Sequence, residues 1–199
     1  MQISKLDIFN LALAALGQDT VAATDEDSTA AKRLRMLYDI VLEQELRAHD
    51  WKFCGRDVKL TLSAESVEGW LYAYSRPDNI IFVRNVFNSL HDRRNARKAD
   101  FAEMADSGLT SRLICCNLAD AYAHVTYRID NPAFFDALFI DVFRYALAKE
   151  AAFGLTGDSR NVQMMNSLYA NALNRALAAD LLEENITPRY GTDFIEVRG

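Results

Sequence analysis

The hydrophobic period changes in the first third of the chain, and that change restricts the fold more than any other feature. Ser28 to His49 reads as a helix. Ala31, Leu34, Leu37, Tyr38, Val41 and Leu42 recur at three- and four-residue steps, with Glu45 the one polar residue on the stripe. From Val58 the step drops to two: Val58, Leu60 and Leu62 alternate with Lys59, Thr61 and Ser63, as in a half-buried strand. Between the two periods lies "HDWKFCGRD", with Trp51 and Phe53 inside the connection. Large aromatics bury about 150–250 Å² each. Trp51 and Phe53 are therefore expected to fold back onto the preceding helix and the sheet it feeds, a structural staple that fixes the exit angle.

Helical spacing returns at both ends of the chain. The pattern predicts helices over about 4–16, 28–49, 132–153 and 158–184. Ser4 and Ser28 stand as N-caps, Gly17 as a stop, and Pro132 in a first helical turn. Gly154 to Gly157 is expected to interrupt between the last two. Short strands are expected between 57 and 129. Among them is Ile80–Phe87, after the turn Arg76-Pro77-Asp78. Arg112–Leu118 is another, and Ala121–Ile129 a third, with Ala121, Ala123 and Val125 on one face and Tyr122, His124 and Thr126 on the other. The stretch Leu90–Ser111 reads as polar and locally basic. The expected architecture is α+β but mainly α: a helical bundle with a small sheet at one end. Residues 1–185 form the single domain, and 186–199, without helical period, an extended C-terminal tail.

Composition narrows the functional classes. The chain has 199 residues, half of them hydrophobic, and a net charge of −6. That sign disfavours a general nucleic-acid binder. No apolar run approaches the roughly 20 residues that span a bilayer, so no membrane partner is expected. Met1 to Phe9 lacks a basic segment followed by an apolar run, so no signal peptide is expected. Cys54, Cys115 and Cys116 are odd in number and two are adjacent, which does not suit a disulfide framework. They read as reduced, mostly buried thiols.

Chemistry-bearing motifs are sparse. There is no CxxC, HxxxH or HExxH spacing for a metal, and no GxSxG for a nucleophile. His49 reads as a cation at a helix C-terminus. Gly154 and Gly157 lack the lysine of a phosphate loop. No catalytic residue, cofactor or metal is assigned. The dense basic run is "HDRRNARKAD", where Arg93, Arg94, Arg97 and Lys98 suit a neighbouring subunit's acids or DNA phosphates.

The order and spacing of several segments resemble the head–tail adaptor proteins of short-tailed bacteriophages, the family of tail tubular protein A and head-completion connectors. "IFNLALAALGQDTV" is similar to that family's first helix, with Asn10 and Gly17 in its signature. "STAAKRLRMLYDIVLEQELRAHDWKFC" resembles the second, followed by Trp51 and Phe53. "GWLYAYSRPDNIIFVRNV" resembles its Tyr-x-x-Pro pattern at Tyr74 and Pro77. "YRIDNPAFFDALFIDVFRYALAKEAAFGLTGD" and "YANALNRALAAD" resemble the later helices.

The resemblance implies a structural, non-enzymatic protein of a phage or prophage virion, made in the bacterial host cytoplasm and placed at the head–tail junction. It implies a ring of copies, commonly twelve, on the portal protein. That ring would extend the DNA channel, let DNA pass during ejection without specific binding, and dock a downstream tail protein (nozzle, or tail needle or fibre). The tail, with Tyr190, Phe194, Ile195 and Val197, is the expected portal-binding segment, since an extended segment gains affinity by ordering on its partner. Two other readings stand beside it: an intracellular helical interaction or regulatory module, and a small-molecule enzyme with an unrecognised pocket.

Overall fold

In a computed structural model the structure describes residues 3–88 and 98–183, with side chains to 180. Four α-helices and eight strands follow one another as α1 (Lys5–Ala15), α2 (Thr29–Ala48), β1 (Gly55–Lys59), β2 (Thr61–Leu62), β3 (Tyr72–Ser75), β4 (Ile80–Phe87), β5 (Lys98–Ala99), β6 (Phe101–Ala105), β7 (Arg112–Cys116), β8 (Tyr122–Tyr127), α3 (Ala137–Thr156) and α4 (Ser159–Glu183).

The strands form two antiparallel sheets, ordered β1-β8-β4-β5 and β2-β3-β7-β6. With 45% helix and 22% strand, the fold is a mixed α+β structure. The mainly helical bundle with a small sheet at one end is thereby corrected. The discrepancy comes from the strands the sequence hides. β6 reads "FAEMA", with no β-branched residue, and pairs with β7 from Phe101↔Cys116 to Ala105↔Arg112. β3 is four residues in a tyrosine-rich stretch just before a proline turn. β6 is held by pairing rather than by its own propensity, and β3 is too short to show a period.

Residues of both sheets share one core. Tyr74, Ile114 and Cys116 meet Ile80, Val83, Val86, Ala123 and Val125. The second sheet carries a smaller cluster on its other face, Ala73, Leu113 and Cys115, under Val67 and Trp70. Cys115 and Cys116 thus point to opposite faces, as strand alternation demands.

The helices build the largest core, with Phe9, Tyr38, Phe139 and Phe143 at its centre. Ser4 caps α1 in a reciprocal box with Asp7, and Ser28 and Asp136 cap α2 and α3. The third helix differs from its expected span. Pro132–Phe134 is a separate 3-10 turn, and α3 starts only after Asp136. It runs through Gly154, where the side chain of Arg33 lies against the glycine backbone, and ends at Gly157 in the left-handed region, φ 66°. Among the described residues no helix is long and apolar enough to cross a membrane.

Candidate functional site

The junction after α2 is where the layers meet. His49 leaves the helix in extended backbone, and a turn follows in which the N–H groups of Cys54 and Gly55 donate to the Trp51 carbonyl at 3.1 and 2.9 Å. Trp51 is 3% exposed. Its indole N–H donates to the carbonyl of Glu45, 2.8 Å away in α2. The rings pack against Phe139 of α3 and Phe135 just before it. Trp51 stands edge-on to Phe139 with centroids 5.1 Å apart, and Phe53 lies 4.9 Å from Phe139 and 6.0 Å from Phe135. The pair joins α2 to α3 through an aromatic cluster, where quadrupole geometry adds to area burial.

A polar seam lies beside it, between the end of α2 and the first sheet. Arg84 of β4 donates to Thr126 Oγ1 at 2.9 Å and to the carbonyls of Leu46 and His49 at 3.1 and 2.6 Å. Those carbonyls belong to a helix end that has no intrahelical donors left, and a cation suits that end. Next to it His124 of β8 is held at both nitrogens: Nδ1 is 2.5 Å from Asp57 and Nε2 is 3.0 Å from Asp50. With a carboxylate oxygen at each nitrogen, the ring bridges the two acids. The arrangement ties β8, β1 and the α2–β1 connection together.

The thiols sit in apolar surroundings. All three cysteines are buried and free. Burial pushes Cys54 up to about 12, with Arg84 pulling it partly back, and burial likewise raises Cys115 and Cys116. Such thiols are poor nucleophiles and poor metal ligands at neutral pH. No group of three or more His, Cys, Asp or Glu that could hold a metal occurs among the described residues.

Two surface hollows stand out. One, of about 320 Å³, lies between the aromatic junction and the end of α4, lined by Trp51, Phe53, Leu138 and Ala176, with Lys52 and Asp180 at its side. The other, of about 330 Å³, gathers Glu43 and Arg47 of α2, Arg76 before β4, Arg112 of β7 and Arg128 after β8. Arg128 is the most engaged, with Asp130, Asp39 and Glu43 at 2.7, 3.0 and 3.2 Å. Arg76 holds Glu103 at 3.0 Å. Arg112 is 66% exposed and reaches the same carboxylate only at 4.0 Å. Arg47 lies over the Phe82 ring.

The basic residues singled out in the sequence are not among those lining this hollow that the structure describes. Arg93, Arg94 and Arg97 lie outside the described residues, and Lys98 opens β5 as an exposed residue. The tail residues Tyr190, Phe194, Ile195 and Val197 also lie outside the described residues. The arginine hollow escapes sequence reading because its members come from four separate segments. The one signal that did foretell a buried polar contact is Glu45, the exception on the α2 stripe, which is 6% exposed and accepts from Tyr169. Compared with known protein families and with curated proteins, the chain matches none.

Proposed function

We propose that the chain is a structural, non-enzymatic part of a bacteriophage or prophage particle that forms a ring between portal and tail. The ring extends the DNA channel at the head–tail junction, DNA passes its lumen without specific binding, and its far side docks the next tail component. The free subunit is made in the host cytoplasm.

One observation carries the reading beyond the resemblance itself. The residues that carry the resemblance are joints of the framework. Asn10 clamps the α1–α2 connection with two bonds to the Val21 backbone, at 3.1 and 2.9 Å. Gly17 ends α1 at φ 64°. Trp51 ties α2 to α3, and the Tyr74 hydroxyl donates to the Leu118 carbonyl at 2.6 Å. Their polar groups are spent on holding elements at fixed angles, which is what a building block needs. Meanwhile large apolar side chains such as Leu71, Leu109, Phe134 and Phe153 stand exposed at the perimeter, available to neighbours.

The test is mass in solution by light scattering, alone and with the portal protein encoded beside this chain. A stoichiometric ring of this protein on the portal is the expected result, and absence of any association overturns the reading. Deleting residues 186–199 should leave folding intact and weaken portal binding; normal binding by the truncated chain removes the tail from the proposal.

A further inference from the structure

The outward face of α2 carries an ordered pattern whose middle, Met36 and Ile40, stands exposed. Lys32, Met36, Ile40, Glu43 and Arg47 follow at three- and four-residue steps, so they share one side of the helix. That side is opposite the buried stripe of Leu34, Tyr38, Val41, Glu45 and Leu42. Met36 is 75% exposed and Ile40 58%, an apolar pair at the middle of a 20-residue helix. Charge flanks them in order. Before the helix stand the exposed acids Asp25 and Asp27, then Lys32. After the pair comes Glu43, and then Arg47 at the arginine hollow with Arg76, Arg112 and Arg128.

Read from the N-terminal end, the face runs acid, base, apolar, apolar, acid, base. Reversed, it runs base, acid, apolar, apolar, base, acid. Laid antiparallel on itself, the acidic connection meets Arg47 and the apolar pair meets itself, while Asp39, exposed on the flank of this face, is balanced by Arg128 and Lys5 of its own chain. Laid parallel, acid meets acid and base meets base, which is destabilising. We propose that this face is the interface of a two-fold dimer of the free chain, α2 antiparallel to the second copy's α2, with each arginine hollow receiving the other copy's acidic α1–α2 connection.

The dimensions allow it. With Met36 against the second copy's Ile40, and Ile40 against its Met36, Arg47 falls opposite the second copy's Thr29, next to its Asp27. The acidic connection and the hollow are about 30 Å apart along α2 at 1.5 Å per residue, so both ends are engaged at once. Asp27 is 93% exposed and pairs with Lys32, itself half exposed, so among the described residues the acid is accessible. Arg128 is held by Asp39, Glu43 and Asp130 and Arg76 by Glu103, so the cations left to meet an incoming acid are Arg47 and the largely exposed Arg112. Both copies use one patch, so the pair is closed and does not grow into a ring. The inference is independent of the ring reading, and a single helix face places the dimer in the weak, exchanging class.

The test uses the full chain without portal, its mass followed against concentration. A monomer–dimer equilibrium, weakened by added salt, is expected. Ile40→Glu should raise the dissociation constant roughly tenfold or more with unchanged melting, since the position is exposed. Asp27→Arg and Arg47→Asp should each weaken the dimer, and the double variant should recover it, because both ends then carry reversed but complementary charge. A wild-type monomer at all concentrations overturns the proposal. So does a dimer indifferent to Ile40→Glu, or open growth past two copies. If Ile40→Glu leaves the free chain's mass unchanged but abolishes portal capture, the face belongs to the portal and the dimer is refuted.

Discussion

The hydroxyl of Tyr169 donates to Oε2 of Glu45 across 3.1 Å, joining the middle of α4 to the last turn of α2. Burial raises the Glu45 carboxyl above its usual value; the Tyr169 bond and Lys149 pull it back, and Glu150 pushes it further up. Burial and the same carboxylate raise the Tyr169 phenol. A raised acid holds its proton more tightly in the folded state than in the unfolded chain. Its contribution to stability is therefore best in acid. It falls as pH rises from the unfolded value near 4.5 to the raised folded value, and is constant above that. Glu45→Gln cannot ionise and keeps an acceptor for Tyr169. It should stabilise the protein by about 1 kcal/mol at neutral pH and by nothing near pH 4. Urea denaturation at the two pH values measures this; equal differences at both would mean that the carboxylate pays no burial penalty.

Trp51 supports the same corner from the other side. Trp51→Ala removes an indole that is 3% exposed, together with its bond to Glu45 and its contact with Phe139. The expected cost is about 3–5 kcal/mol. Trp51→Phe keeps most of the ring and loses the bond, at about 1 kcal/mol. Guanidinium unfolding of the two variants separates packing from hydrogen bonding. An unchanged midpoint for Trp51→Ala would remove the indole from the list of supports.

How far the sequence foretold this fold depends on which force holds each element. α1, α2 and α4 were legible to within about two residues because their caps and apolar stripes are local signals. β4 was legible as a β-rich run after a proline turn, β7 as a short apolar run, and β8 by its alternation. β6 was not: Phe101, Ala102 and Met104 become a strand only because β7 lies alongside them. The same holds for the site. Trp51 announced itself as an aromatic in a connection, but nothing local says that its ring meets Phe139, 88 positions further on. Arg47, Arg76, Arg112 and Arg128 are unremarkable one at a time, and only the topology gathers them.

Gly157 isolates a backbone cost from packing. Its φ is 66°, its N–H donates to the Phe153 carbonyl at 2.9 Å, and a Cβ there would meet nothing within 4 Å. Gly157→Ala therefore pays only for the left-handed conformation, about 1 kcal/mol. Gly157→Asn, better tolerated in that region, should cost less. Thermal unfolding followed by circular dichroism ranks the three. Alanine equal to glycine would mean that the turn between α3 and α4 leaves the left-handed region at little cost.

His124 offers a test by sign reversal. Its side chain is 8% exposed and bridges Asp57 and Asp50 at 2.5 and 3.0 Å. His124→Ala takes away the ring between the two acids and leaves two carboxylates across the vacated space. Asp50 is 41% exposed, so water screens part of that repulsion. The expected loss is about 2 kcal/mol, below the range for fully buried pairs. In the wild type, Asp57→Asn weakens a charged hydrogen bond and should destabilise. In the His124→Ala background the same substitution removes one of two like charges and should stabilise. A double-mutant cycle in urea reads both signs. If Asp57→Asn has the same effect in both backgrounds, the imidazole does not couple to that carboxylate.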